Sequence, residues 1–274
     1  MIGHRRRIGT RNYMANFETI RFETEDRVAI ITLNRPKSAN GLNAKMASEL
    51  AQVAKLCKEE PDIRAIVLTA LGRFFCAGGD IKEMASHGDM VGAEIKSLAD
   101  DLHKTISIFS RMDAPVIMAV NGMAAGAGFS LAVSSDLVIA SQAASFMMAY
   151  TNAGLSPDGS STYFLPRLIG LRRTQELMLT NRKLSADEAH DWGLINKVVP
   201  ADEVFDTAMN LAKKLASGSI KSHGAIKKLL LLSYQLSLED QMELEGQTIS
   251  DCAVSPDGRE GILAFTEKRK AEFL

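Results

Sequence analysis

The sequence has few cysteines and no long apolar run. Its three cysteines, Cys57, Cys76 and Cys252, stand far apart and form no C-x-x-C pair. An odd number of isolated cysteines in a chain of 274 residues is typical of a reduced, intracellular protein without a disulfide framework. No apolar run approaches the roughly 20 residues that a membrane span needs. We therefore expect a cytoplasmic protein with no membrane partner, or a protein of the mitochondrial matrix if its source is eukaryotic.

A charge excess is missing as well, and so are closely spaced histidines. The 32 basic and 33 acidic residues are interspersed and leave a formal net charge of −1. Such a balance creates no field that would attract nucleic acid. The five histidines never stand at the spacing of metal ligands, so we expect no metal. A short basic stretch, KSHGAIKK from Lys221 to Lys228, leaves RNA binding or a non-catalytic, CoA-binding role as a minor alternative.

Strand and helix patterns alternate through the first two thirds of the chain. Two β-branched and aromatic stretches around an acidic break, in FETIRFETEDRVAIITL, predict a hairpin. Asn43 then precedes apolar residues at helical spacing, and IRAIVLTA and PVIMAVNG are typical of strands covered on both faces. ASFMMAY predicts a further strand that reaches Tyr150. The alternation indicates an α/β layered core, with 46% hydrophobic residues to fill it.

Three parts of the chain differ in character. Residues 1–15 are basic and lack the apolar stretch of a secretion signal, so we treat them as a disordered or cloning-derived extension, with a mitochondrial presequence as the alternative. Residues 16–200 form the predicted α/β core. Residues 201–274 contain four helical segments with apolar stripes. Because such helices cannot bury their stripes alone, we expect this region to pack on the core or on a neighbouring subunit of an oligomer.

Two segments combine a buried strand, a loop of small residues and a helix, namely IVLTALGRFFCAGGD and VIMAVNGMAAGAGFSL. Small residues let backbone N–H groups approach a ligand, although close packing explains either loop alone equally well. Two such loops together suggest N–H groups that converge on one oxygen. In such an oxyanion hole each donor contributes about 3–4 kcal/mol in the transition state. GMAAGAG lacks the G-x-G-x-x-G order of a dinucleotide-binding loop.

Longer motifs carry a family resemblance. The segments LNRP, FCAGGDIKEM, PVIMAVNGMAAGAG, GLSPDGSSTYFLPRLIG, LMLTNRKLSADEAHDWGLINKVVP and EGILAFTEKRKAEF resemble the crotonase superfamily of enoyl-CoA hydratases and isomerases, from about Phe17 to Phe273. The resemblance implies an α/β fold built as a crotonase-like spiral of ββα repeats with a helical C-terminal region. It also implies homotrimers or dimers of trimers, acyl-CoA thioester substrates that contain coenzyme A, and neither a covalently bound cofactor nor a metal.

The resemblance also assigns residues to a site. It gives the two oxyanion-hole amides to Gly79 and Ala127. It further implies that Lys37, Lys82 and Lys268 contact the phosphates of coenzyme A. For each lysine, an ordinary solvated side chain is the alternative. The residues to which the resemblance gives contacts with the CoA substrate are Lys37, Ala77, Gly79, Asp80, Ile81, Lys82, Gly126, Tyr150, Phe265 and Lys268.

The positions of the acidic residues distinguish the members of the family. Hydratases that it resembles carry two glutamates that activate a water, at positions that match Ser130 and Tyr150 here. Both acids are absent, and adding water needs a positioned base and acid. Asp158, in GLSPDGSS, resembles instead the single aspartate of ring-1,2-epoxyphenylacetyl-CoA isomerases and other enoyl-CoA isomerases. The resemblance therefore implies a double-bond shift with Asp158 as proton shuttle, and an enoyl-CoA hydratase is the alternative.

Asp158 and His103 each have a second interpretation. Aspartate in a Gly/Ser loop is a favoured N-cap, so capping of the helix through Ser160 and Ser161 is the alternative for Asp158. His103 and Asp158 also match a histidine and a nucleophilic aspartate of 4-chlorobenzoyl-CoA dehalogenases, which suggests a dehalogenase-like or hydrolytic enzyme. Those enzymes use a tryptophan where this chain has Tyr150. A histidine in the wall of the site or on the surface is the simpler interpretation of His103.

Overall fold

The computed structural model describes residues 17–273, and the expected extension, residues 1–15, lies outside the described residues. In this part of the chain no helix is both long and apolar enough to cross a membrane. The strands are β1 (Ile20–Glu25), β2 (Val28–Leu33), β3 (Ala65–Ala70), β4 (Phe74–Cys76), β5 (Val116–Val120), β6 (Met123–Ala125), β7 (Leu137–Ser141), β8 (Ser145–Met147), β9 (Leu184–Ser185) and β10 (Lys197–Val199). The helices are α1 (Ala44–Glu59), α2 (Ile81–Ala85), α3 (Val91–Arg111), α4 (Ala127–Val133), α5 (Ser161–Ile169), α6 (Leu171–Thr180), α7 (Ala186–Asp191), α8 (Val204–Ala216), α9 (Ile220–Leu232), α10 (Leu238–Val254) and α11 (Pro256–Thr266).

The predicted N-terminal hairpin and first helix are confirmed. β1 and β2 pair antiparallel, and Asp26 and Arg27 between them both have positive φ, as a tight two-residue hairpin turn requires. α1 begins where Asn43 Oδ1 accepts a hydrogen bond from the Met46 N–H at 3.0 Å. Local sequence signals therefore determine the first ββα unit.

Successive pairs of strands contribute to two different sheets. The six-stranded sheet has the order β1-β2-β3-β5-β7-β10, and the four-stranded sheet has the order β4-β6-β8-β9. The pairs β3/β4, β5/β6 and β7/β8 each give one strand to each sheet, and their neighbours within a sheet run parallel. Helices follow each pair. The chain thus winds as a spiral of ββα repeats, the arrangement that the resemblance implied.

The continuous apolar run of β3 is explained by cover on both faces. All six residues of β3 are buried. Ile66 and Leu68 pack into the larger core, whereas Val67 belongs to a second cluster with Ala208 and Ala212 of α8. The first of the C-terminal helices is therefore an outer layer of the core itself.

A buried lysine attaches the next helix, α9, to the core. Lys227 Nζ donates to the carbonyl oxygens of Phe109 at 2.7 Å and Ala114 at 2.9 Å, and it pairs with Asp136 Oδ2 at 2.8 Å. The Lys227 side chain is only 8% exposed. The segment KSHGAIKK therefore presents no continuous basic face, because one of its lysines points into the protein.

The last two helices leave apolar side chains exposed. α10 has no buried residue, and α11 buries Ala264 alone. The exposed apolar side chains of these helices are Leu238, Met242, Ile249, Val254, Ile262, Leu263 and Phe265. A single chain leaves these stripes uncovered, so their burial against a neighbouring subunit stays a prediction.

Replacing Lys227 with methionine keeps the length of the side chain but removes its charge. The Asp136 carboxylate and two carbonyl groups then lose their cation, so we expect the free energy of unfolding to fall by about 3 kcal/mol. Chemical denaturation measures the change. Lys228→Met is the matched control, since Lys228 is exposed on the same helix. Equal stability of the two variants would contradict the role given to Lys227.

Candidate active site

The two loops of small residues lie against each other. β4 and β6 are parallel neighbours, so the loops that follow them leave the same edge of the small sheet. A Cβ built on Gly78 would lie 3.2 Å from the Ala125 carbonyl oxygen, and one on Gly126 would lie 3.4 Å from the Gly78 Cα. Both glycines also have positive φ. The two backbones therefore approach each other where there is little room for a side chain.

Each loop has a backbone N–H group without an acceptor in the described residues. Ala127 is the first residue of α4, and the first N–H groups of a helix have no partner within it. On the other loop, the Leu42 N–H donates to the Gly78 carbonyl at 2.7 Å and the Asp80 N–H donates to the Leu42 carbonyl at 2.8 Å. The N–H group of Gly79, between them, donates to no atom of residues 17–273. Two unused donors thus stand on adjacent loops.

Side chains around Gly79 hold its loop in place. Asp80 Oδ2 pairs with Arg35 at 2.9 Å, and its other oxygen accepts from the Glu83 N–H at 3.3 Å to cap α2. Met84 of α2 lies over the loop, because a Cβ built on Gly79 would come within 2.4 Å of the Met84 Cε. The Asp80 carboxylate is therefore engaged within the chain.

Asp158 does not cap α5, so that interpretation is wrong. The N-cap residue is Ser160, and no side chain caps the helix. The Asp158 carbonyl accepts from the Ser161 Oγ at 2.9 Å, while Asp158 Oδ1 accepts from the Tyr150 hydroxyl at 2.6 Å. The Asp158 carboxylate therefore bonds to Tyr150 and not to the backbone at the start of α5.

A chain of hydroxyl groups connects Asp158 with the helix that begins at Ala127. The Tyr150 Oη lies 3.0 Å from the Ser130 Oγ as well as 2.6 Å from Asp158 Oδ1. Ser130 is buried in α4, one turn after Ala127. Burial, and then the charge of Asp158, raise the pKa of the Tyr150 hydroxyl, which keeps it protonated as a donor. The carboxylate is therefore two hydrogen bonds away from the helix whose first amide is unused.

The predicted strand ASFMMAY is shorter than expected. β8 ends at Met147, Ala149 has a φ of 58°, and Tyr150 begins a short 3-10 turn. The left-handed residue redirects the chain, so Tyr150 leaves the sheet and reaches Asp158. Sequence analysis missed this contact, because no local pattern signals a left-handed alanine.

Comparison with known proteins supplies the family. The sequence profile described as "Enoyl-CoA hydratase/isomerase" matches residues 23–274. The 1,2-epoxyphenylacetyl-CoA isomerase of Escherichia coli is 37% identical over 93% of this chain and 98% of its own. The short-chain-enoyl-CoA hydratase of Clostridium acetobutylicum is 33% identical over 91% and 95%. A crystal structure of enoyl-CoA hydratase from Bacillus anthracis is 32% identical, with a TM-score of 0.88 over 93% of this chain and 99% of that one.

The chain belongs to the enoyl-CoA hydratase/isomerase family.

Membership confirms the predicted crotonase fold and makes the protein an acyl-CoA-processing enzyme. The relatives include both isomerases and hydratases, so the names alone do not choose between the two reactions. The names of both relatives refer to CoA thioesters. Among residues 17–273 no group of three or more His, Cys, Asp or Glu side chains could hold a metal ion, and the expectation that the enzyme uses no metal stays a prediction.

His103 contacts the backbone beside Asp158. Its Nε2 accepts a hydrogen bond from the Gly159 N–H at 3.2 Å, and the ring is exposed. No ion pair within 4.0 Å joins it to a carboxylate in the described residues. The lone pair of Nε2 is thus occupied by the Gly159 amide. This geometry gives no support to the hypothesis that His103 acts as a general base beside a nucleophilic Asp158.

A cavity of about 840 Å³ lies behind the Asp158 turn, between α3, α5, α9 and α10. His103 and Ser160 line it, together with Tyr163 and Phe164 of α5 and Leu232 of α9. Asp158, Gly79 and Ala127 are not among its lining residues. The cavity is therefore a neighbour of the candidate site and not its centre.

The candidate residues for coenzyme A fall into two groups. Lys37, in the 3-10 turn Pro36–Ser38, and Lys82, in α2, are exposed on segments that flank the Leu42–Gly79 pairing, and Ala77 and Ile81 are exposed beside Gly79. Phe265, which is 85% exposed, and Lys268 lie at the end of α11, which packs on α10. Within one chain the first group adjoins the glycine loops, whereas no described contact of the second group does.

The turn at Gly159 offers a stability test with an internal control. A Cβ on Gly159 would lie 2.7 Å from the Ser130 Cβ, whereas one on Gly154 would have nothing within 4 Å. Both glycines have positive φ. We therefore expect Gly159→Ala to lower the free energy of unfolding by about 1–3 kcal/mol more than Gly154→Ala, because only the first change adds a clash. Equal losses in thermal or chemical unfolding would contradict the packing of this turn on α4.

Proposed function

We propose that the protein is an enoyl-CoA isomerase in which Asp158 carries one proton. The observation that carries the proposal is the surrounding of Asp158: the Tyr150 hydroxyl bonds to its Oδ1, the Ser130 hydroxyl bonds to Tyr150, and neither residue carries a carboxyl group. Hydration needs a base for the water and an acid for the α-carbon, whereas a 1,3 shift of a double bond needs one group for both steps. The similarity to an isomerase at 37% identity supports the same reaction.

The reaction proceeds through an enolate. The Asp158 carboxylate takes a proton from the α-carbon of a 3-enoyl thioester, and the electron pair of that C–H bond moves toward the thioester oxygen. The N–H groups of Gly79 and Ala127 stabilise the negative charge on this oxygen. The protonated Asp158 then returns the proton to the γ-carbon, the double bond moves to the 2-position, and the carboxylate is regenerated.

The CoA part of the substrate is expected beside the first glycine loop. Lys37 and Lys82 are exposed cations near Gly79, and Ala77 and Ile81 are exposed next to them. Lysine is a common ligand of phosphate groups. Phe265 and Lys268 complete the set only if α11 of a neighbouring subunit reaches the same loops, a contact that an oligomer permits.

Asp158→Asn tests the proposed reaction. The amide cannot accept the α-proton, so conversion of 3-hexenoyl-CoA to the 2-enoyl isomer should fall by at least about 1000-fold. Binding of coenzyme A, measured by calorimetry, should persist because Asp158 is not among the residues expected to contact coenzyme A. The parent protein is assayed in parallel for hydration of 2-hexenoyl-CoA. Undiminished isomerisation in the variant, or faster hydration than isomerisation in the parent, would remove the proposal, and the latter result would favour the hydratase alternative.

We also infer an oligomer, because the exposed apolar stripes of α10 and α11 require a partner surface. The family resemblance implies that this oligomer is a homotrimer or a dimer of trimers. Light scattering coupled to size-exclusion chromatography should give three or six times the chain mass of 29.8 kDa. A particle of one chain mass at micromolar concentration would contradict this assembly.

A further inference from the structure

The Tyr150 hydroxyl lies between two polar side chains, and the direction in which it donates its hydrogen bond is defined. It lies 2.6 Å from Asp158 Oδ1 and 3.0 Å from Ser130 Oγ. An ionised carboxylate only accepts hydrogen bonds, so the phenolic hydrogen must point toward Asp158. Ser130 must then donate to the Tyr150 oxygen. The order of donation is therefore Ser130 to Tyr150 to Asp158.

This order leaves the two oxygens of Asp158 unequal. Oδ1 accepts the short bond from Tyr150, whereas Oδ2 accepts no hydrogen bond from residues 17–273. A bound oxygen is held in one place and its charge is partly neutralised by the donor. The free oxygen has the unshared electron pairs that proton transfer needs.

We propose that Tyr150 is a positioning residue that holds Asp158 Oδ1 and thereby directs Oδ2 at the substrate. The proposal rests on the proposed isomerase function and adds to it the group that orients the shuttle. Ser130 supports Tyr150 in turn by fixing its hydroxyl. Tyr150 touches the carboxylate and acts on the reaction through it.

The surroundings of Tyr150 suit this role. Its ring packs against the main core, its N–H donates to the Met148 carbonyl at 2.8 Å, and its carbonyl accepts from the Leu155 N–H at 3.1 Å. The core contacts hold the ring, and the two backbone hydrogen bonds hold the short turn that carries it. Burial raises the pKa of the hydroxyl and so keeps its proton available for donation.

The hydroxyl of Tyr150 is neutral, whereas a carboxylate at the same position would be negatively charged. A second carboxylate would repel the charge of Asp158 and could activate water. Tyr150 holds Asp158 without adding charge or a base. The same side chain thus orients the proton shuttle and favours isomerisation over hydration.

Tyr150→Phe tests the proposal, because it removes the hydroxyl and keeps the ring. With 3-hexenoyl-CoA we expect kcat to fall about 10- to 100-fold, because the Asp158 carboxylate is no longer held in line with the α-carbon. KM should stay close to that of the parent. Ser130→Ala should lower kcat by a smaller factor. Tyr163→Phe is the matched control, since its hydroxyl bonds to the Leu231 carbonyl at 3.2 Å and not to Asp158.

A second measurement separates positioning from folding. In D2O an oriented Asp158 returns much of the abstracted proton, whereas a loose one exchanges it with solvent. The 2-enoyl product of Tyr150→Phe should therefore contain more γ-deuterium than that of the parent or of Tyr163→Phe.

The outcomes are distinguishable from those for the proposed function. Parental kcat and deuterium content in Tyr150→Phe would overturn the positioning role, even where Asp158→Asn is inactive and the isomerase function stands. A joint loss of CoA binding, melting temperature and activity in Tyr150→Phe would also overturn it and make Tyr150 a structural residue. A parent protein that isomerises no 3-enoyl-CoA would instead remove the proposed function, and the positioning role with it.

Discussion

The proposed site depends on the contact between two loops that follow neighbouring parallel strands. Gly78 and Gly126 approach so closely that a Cβ on Gly126 would lie 3.4 Å from the Gly78 Cα. This contact is a consequence of the ββα repeat, since the pairs β3/β4 and β5/β6 each send their second strand to the small sheet. The amides of Gly79 and Ala127 follow directly after these glycines. Two unused donors are thereby held on adjacent backbones, without any side chain that must be ordered on binding.

The second feature of the proposed site is a single carboxylate, Asp158, among neutral hydrogen-bond donors. Asp158 reaches the site from the turn before α5, which packs on α4 through Gly159 and Ser130. Tyr150 comes from the turn after β8, and Ser130 from α4 itself. Three separate elements thus meet within two hydrogen bonds. A set of donors with one carboxylate suits a reaction in which the same proton leaves one carbon and returns to another.

Sequence reasoning succeeded where the signal is local. The cap at Asn43, the hairpin and the buried strands are encoded in adjacent residues, and the glycine loops follow from the motifs. It left the cap open as an alternative for Asp158, since a favoured cap residue and a carboxylate bonded to Tyr150 have the same local sequence. Lys227 looked like part of a basic face, because nothing local indicates that its acceptors come from residues over 100 positions away. Such cases depend on contacts between residues that are far apart in the chain, and a single sequence does not reveal those contacts.

The most direct test of the account is a crystal structure with a slowly reacting acyl-CoA bound. Its thioester oxygen should lie about 2.7–3.1 Å from the backbone nitrogens of both Gly79 and Ala127, with Asp158 Oδ2 facing the α-carbon. A thioester oxygen that contacts neither amide, or that is held by a side chain instead, would contradict the central claim.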